Sequence, residues 1–151
     1  DPDGDWSSDV CSSDLTPGMG SIVVILATDA PLLPHQCQRL AQRASIGIAR
    51  TGGGTEDSSG DLFLAFATGN QALPPADYGR KDLAFSTALQ MVNNDHISPL
   101  FLAAAEAVEE AIINAMLAGE SMTTDDGVQV PGLDGETLLQ ALRQAGWNSC
   151  R

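Results

Sequence analysis

With 151 residues, 43% of them hydrophobic and 18% charged, the chain holds enough apolar material for one folded domain with a real core. Twenty acidic residues against seven basic ones give a formal net charge of -13, which repels polyanions and argues against nucleic-acid binding. No apolar stretch reaches membrane-spanning length, and Cys11, Cys37 and Cys150 show neither CxxC spacing nor histidines at zinc-site intervals. A disulfide framework or metal site is therefore not expected, and the cysteine usage fits a reducing compartment such as the cytoplasm.

The lead, DPDGDWSSDVCSSDL, holds five aspartates, no basic residue and no periodicity, so residues 1–15 are expected to be loosely attached or disordered. Its string SSDVCSSDL resembles translated adaptor sequence, which would make the lead an artefact; the alternative is a genuine acidic linker. The lead is accordingly set aside from fold reasoning, and natural sequence is expected to resume near Thr16.

Gly20-Ser21 opens directly onto six apolar residues, 22–27, without a polar interruption. Such a run predicts a strand buried on both faces. In the loop TDAPLLPHQ that follows, Asp29 is expected to make local bonds to the backbone. Pro34 suits a first helical turn, and a helix is predicted from there to Arg50. Leu40, Ala44, Gly47 and Ile48 recur on its apolar side, with Gln36, Arg39, Gln42 and Arg43 on its polar side. Thr51 and the three glycines after it stop the helix. The segment DLFLAFAT, 61–68, predicts a second strand apolar on both faces. Residues 70–82 read as loop, and LAFSTALQMV, 83–92, is read as a strand in preference to a short helix. Ser98 as N-cap with Pro99 after it starts an alanine-rich helix to about Ala118. Asp134 caps a last short helix that ends near Gly146. Strands packed on helices in this order give a layered α/β core.

The chemistry-bearing candidates cluster around the two strands. A Gly-Ser pair before a strand is ordinarily a turn. At the first position of a mature chain, however, a serine has its own α-amino group as a base, the arrangement of N-terminal nucleophiles. Ser59 and Asp61 are two apart, so strand alternation puts them on one face, with Gly60 leaving room for close approach. Asp61 stands directly before an apolar run, where an unpartnered carboxylate would be costly. A turn serine and a strand-entry aspartate are the plainer reading. His35, at the loop-to-helix junction, invites a Ser-His-Asp triad with Ser21.

Three blocks, SIVVILATDAPLLPHQ, SSGDLFLAFATGN and SPLFLAAAEAVEEAIINAMLAGESMT, resemble consecutive segments of the L-aminopeptidase/D-esterase group, which includes the β-peptidyl aminopeptidases. The resemblance runs from Gly20 to about Leu142. It implies a precursor that cuts itself before a serine, giving an α chain and a shorter β chain whose new N-terminal residue is the nucleophile. Ser21 matches that serine, with self-cleavage between Gly20 and Ser21, residues 16–20 as a remnant and 21–151 as the β-chain part of one hydrolase domain. Ser59 and Asp61 match a serine and an acidic residue implicated in catalysis beside the nucleophile. Some members carry Glu where Asp61 is one methylene shorter. The family does not use His35 as its base.

The implied fold is a four-layer αββα sandwich of the N-terminal-nucleophile type, incomplete in this chain. No metal or organic cofactor is implied. The α chain of the same precursor is the implied partner; it would bring an oxyanion-hole asparagine and much of the substrate pocket, so this chain alone is expected to be inactive. Short peptides, amides or esters are the implied substrates, and a homo-oligomer of αβ units the implied assembly. Glu120, Ser121 and Met122 fall in a family-like block with a packing or subunit-contact role. Two rivals stand beside this. One is a truncated, non-catalytic α/β fragment that binds a partner chain. The other is an N-acetyl-ornithine transferase-like relative, which would carry a threonine where this chain has Ser21.

Overall fold

The computed structural model describes residues 20–74 and 81–147. The acidic lead, Cys11, Cys150 and part of the double-proline loop lie outside these residues. In chain order the elements are β1 (Val23–Thr28), α1 (Pro34–Ala41), α2 (Ala44–Arg50), β2 (Leu62–Ala67), a 3-10 turn (Asn94–His96), α3 (Ser98–Ala118), β3 (Met122–Thr123), β4 (Gln129–Val130) and α4 (Gly135–Gln144). They divide into two compact units, Gly20–Glu109 and the described residues from Glu110 onward.

In the first unit β1 and β2 run parallel, with Val23 opposite Leu62 and Thr28 opposite Ala67. A parallel pair needs a crossover, and the segment holding α1, α2 and the glycine-rich loop supplies it. The pleat turns Leu26, Ala65 and Ala67 towards a core of Leu32, Leu40, Ile97 and Ala104, with Phe101 packed beside it. The opposite face is open. Val23, Ile25, Leu62, Leu64 and Phe66 are each between 46% and 68% exposed. The strands thus form where the apolar runs predict them, but only one of the two faces is covered among the described residues.

The single helix expected over 34–50 is two helices. Around Gln42 and Arg43 the bonding tightens, with the Arg43 N–H donating to the Leu40 carbonyl and the Ile46 N–H to the Arg43 carbonyl. The Ser45 hydroxyl takes the Gln42 carbonyl at 2.8 Å, competing with the helical ladder. Leu40, Ala44, Gly47 and Ile48 are all buried, as their spacing predicts. Gln36 is not on the polar face: its residue is 0% exposed. Its Oε1 accepts from the Leu33 N–H, while its Nε2 donates to the Val92 carbonyl at 2.7 Å and to Asn94 Oδ1 at 3.0 Å. Every polar atom of that amide is satisfied, which is what permits its burial. Arg39 and Arg43 instead stack their guanidinium groups over the Phe101 ring, at 5.1 and 4.5 Å.

The segment 83–92 forms no strand. Asn70 occupies the place of a strand partner, its Oδ1 accepting from the Gln90 N–H and its Nδ2 donating to the Gln90 carbonyl. Helix α3 spans the residues expected, although its first-turn bonds accept on the Ile97 carbonyl, so the cap lies one residue before Ser98. Among the described residues no helix is long and apolar enough to cross a membrane.

The second unit holds a β3–β4 hairpin that the sequence reading did not include. Met122 pairs with Val130 and Thr123 with Gln129. Its loop closes through Gly127, whose φ of 89° favours glycine, with the Thr124 hydroxyl and the Asp126 carboxylate bonded to each other. That bond, ahead of the Val128 N–H, holds the Asp126 carboxyl below its usual range. Helix α4 starts as predicted, the Asp134 carboxylate accepting the Thr137 N–H at 2.8 Å. The same bond, with the Thr137 hydroxyl second, lowers the Asp134 carboxyl. Gly146 follows the end of α4.

Candidate active site

Ser21, Ser59 and Asp61 meet at one end of the two-stranded sheet, where the chain enters β1 and β2. Ser21 is exposed, while Ser59 and Asp61 are half-buried. Ser21 Oγ accepts the Gly60 N–H at 2.8 Å. The Ser59 hydroxyl donates to Asp61 Oδ1 at 2.7 Å, so the alternation argument holds for this pair. The same Asp61 oxygen accepts the Ile22 N–H at 3.1 Å. Asp61 therefore grips the residue next to Ser21 through the backbone, and the carboxylate before the apolar run has the partners its burial demands. The hydrogen bonds fall into two sets, Ser21 with Gly60 and Asp61 with Ser59 and Ile22.

This arrangement suits a nucleophile. A hydroxyl that accepts an N–H bond keeps its own proton free for a base, and its oxygen is fixed in place. Of the contacts that fix it, the sequence argument anticipated space at Gly60 but not the donated N–H. The bond from Ile22 to Asp61 was also missed. Only a strand register could have exposed either, because the partners are 39 positions apart.

His35 is exposed in the first turn of α1, beyond the C-terminal end of β1. Ser21 precedes the other end, and a six-residue strand is about 20 Å long, so the geometry builds no triad from His35. In the loop after β1 the local bond comes from Thr28, whose Oγ1 accepts the Ala30 N–H at 3.1 Å, in the role expected of Asp29. In the second unit Ser121 Oγ accepts the Gly132 N–H, and Met122 begins β3 with its side chain exposed. Two open grooves, about 510 Å³ beside α1 and β2 and about 390 Å³ between residues 69–73 and 88–90, include none of Ser21, Ser59 and Asp61. Among the described residues no cluster of three His, Cys, Asp or Glu side chains could hold a metal ion.

Residues 4–130 match the model of Peptidase family S58. The chain belongs to that family. It is 36% identical over 141 residues to the beta-peptidyl aminopeptidase BapA of Sphingosinicella microcystinivorans, covering 93% of this chain and 34% of that protein. Among solved structures, a Burkholderia sp. beta-aminopeptidase is 64% identical with a TM-score of 0.80, over 89% of this chain and 37% of that one. The L-aminopeptidase D-Ala-esterase/amidase of Ochrobactrum anthropi, described as a prototype serine aminopeptidase and a variant of the Ntn hydrolase fold, is 46% identical. Its TM-score is 0.73, over 83% of this chain and 34% of that one. This S58 chain thus spans about a third of the length of the relatives it matches. Its α/β architecture is part of an Ntn-hydrolase fold, and among the described residues of the first unit helices cover a single face of the β1–β2 sheet.

Proposed function

We propose that the chain is the nucleophile-bearing part of a self-processing serine aminopeptidase, cut between Gly20 and Ser21, that releases N-terminal residues from short peptides, amides or esters. The observation that carries this reading is the fixed Ser21 Oγ, 2.8 Å from the Gly60 N–H at the mouth of β1, beside the bonded Ser59 and Asp61. In maturation, Ser21 Oγ adds to the Gly20 carbonyl carbon and its proton passes to the departing Ser21 nitrogen. The C–N bond breaks, leaving Gly20 as an ester on Oγ. Water then hydrolyses that ester, giving the Gly20 carboxylate and a free Ser21 amine. The freed amine becomes the base that takes the Oγ proton when the hydroxyl attacks a substrate. Ser59 and Asp61 act in catalysis by holding the nucleophile's strand and stabilising positive charge on that amine.

The complementary α segment of the same precursor covers the open sheet face and supplies the remaining oxyanion donors and the substrate pocket, followed by assembly of several αβ units. Support comes from the uncovered apolar face and from the third of the relatives' length that the chain spans. The names of those relatives point to β-amino acid or D-Ala derivatives among the substrates.

The test uses a longer precursor in which an α-like segment precedes this chain. Ser21→Ala should leave one uncut polypeptide on a denaturing gel, with no hydrolysis of an amino-acid p-nitroanilide. Normal processing of that variant removes Ser21 from the mechanism. A second reading, a non-catalytic fragment that binds a partner chain, is favoured by the same open face. Absence of any cut before Ser21 in the unaltered precursor would select it.

A further inference from the structure

The hydrogen-bond ladder between β1 and β2 ends in an unusual way. The Leu62 N–H donates to the Ile22 carbonyl at 3.0 Å, as a parallel register requires. Continued back by one step, that register would have the Ile22 N–H donate to the Gly60 carbonyl and the Gly60 N–H to the Gly20 carbonyl. Neither bond is made. The Ile22 N–H goes to Asp61 Oδ1, and the Gly60 N–H goes to Ser21 Oγ. Two side chains replace two rungs, and the Gly60 and Gly20 carbonyls are the acceptors left without their ladder donors.

We propose that Gly60 is a positioning residue: its N–H holds Ser21 Oγ and, by being engaged there, leaves the Gly20 carbonyl out of the ladder and open to attack. This rests on the reading of Gly20-Ser21 as the cleaved bond. A carbonyl tied into a ladder is fixed in the plane of the sheet, whereas forming a tetrahedral carbon requires its oxygen to swing out of the amide plane. The Asp61 bond to Ile22 completes the clamp by anchoring the next peptide.

The residue at 60 is restricted by Ser21 alone. A Cβ there would lie 3.2 Å from Ser21 Oγ, closer than ordinary van der Waals contact. Gly60 is exposed and does not have a positive φ, so neither burial nor backbone conformation demands glycine. What a side chain would displace is the nucleophile's oxygen. A misplacement of about 1 Å at a reacting atom costs on the order of a hundredfold in rate, so a shift of a few tenths should cost about three- to tenfold.

The experiment is Gly60→Ala and Gly60→Val in the longer precursor. Alanine should slow self-cleavage about three- to tenfold and valine more, with the thermal midpoint within a degree or two of the unaltered protein. Matured enzyme should show the loss in kcat with KM unchanged. Unaltered cleavage and kcat in both variants overturn the proposal. Should valine fail to fold, amide exchange in the uncut Ser21→Ala precursor decides: the Gly60 N–H, having lost its acceptor, should exchange several-fold faster than the Ile22 N–H, which keeps Asp61, and equal exchange overturns the clamp. Processing of Ser21→Ala itself would sink the wider functional reading, which separates the two failures.

Discussion

Asp61 Oδ1 accepts one bond from the Ile22 backbone and one from the Ser59 hydroxyl, so a single oxygen joins the strand entry to the site. Asp61→Asn keeps an oxygen that can accept both bonds but removes the charge, whereas Ser59→Ala keeps the charge and removes one donor. If the carboxylate stabilises a protonated Ser21 amine, both changes should lower p-nitroanilide hydrolysis by matured enzyme. A loss of about tenfold or more is expected for Asp61→Asn and a smaller one for Ser59→Ala, within the range of positioned acid-base groups. Unchanged rates in both would return the pair to a structural bond at a strand mouth. That these residues share a face was legible from their spacing, because alternation with a period of two is local. Which backbone groups they meet was not, since the Ile22 contact bridges 39 positions and depends on register. Gln36 failed for the same kind of reason. A polar residue in a polar stripe reads as solvated until the chain returns with the Val92 carbonyl and Asn94 to meet it.

At the level of elements, the boundaries that chemistry punctuates came through and those set by packing did not. Asp134 and Gly146 delimit α4 by local bonds and a permissive glycine, and both ends were visible. The break between α1 and α2 coincides with tightened backbone bonds at Arg43 and Ile46 and with the Ser45 hydroxyl taking a carbonyl, none of which the apolar period can register. The hairpin had a readable signal in Asp126-Gly127 between short β-prone runs, and the reading passed over it. Gly47 is the clearest packing case. It was counted as one more small residue on the apolar face, yet a Cβ there would lie 2.6 Å from the Ala105 carbonyl oxygen and 2.7 Å from Val108 Cβ, both on α3. Glycine is what lets the two helices touch. Gly47→Ala raises helix propensity by up to about 1 kcal/mol. The overlap is with backbone, however, and overpacking of this kind costs about 1–3 kcal/mol. The expected result is a lower denaturant midpoint in the longer precursor with an unchanged m-value. A higher midpoint would mean that α2 and α3 separate without cost.

For the molecule as a whole, the apolar runs in β1 and β2 predicted burial on both faces, and among the described residues one face is open. Among the described residues one covering layer is present, so this mismatch marks the surface on which a second layer is proposed to sit. Burying an aliphatic or aromatic side chain of this size contributes about 1.5–3 kcal/mol. Five such side chains, Val23, Ile25, Leu62, Leu64 and Phe66, would give the proposed second layer a substantial driving force for docking. The same surface should make the isolated chain associate, despite its net charge of -13. Ile25→Asp with Leu64→Asp separates the two contexts. In the isolated chain these side chains face solvent, so the double variant should be more soluble and bind less of a hydrophobic dye, with helix and strand content retained. In the longer precursor the two carboxylates would enter a dry sheet-to-sheet contact without partners, and a buried unpaired charge is strongly unfavourable. Folding and self-cleavage should then both be lost. A double variant that folds and cuts itself normally in the precursor would mean that nothing covers this face, and the proposed second layer would have to be abandoned.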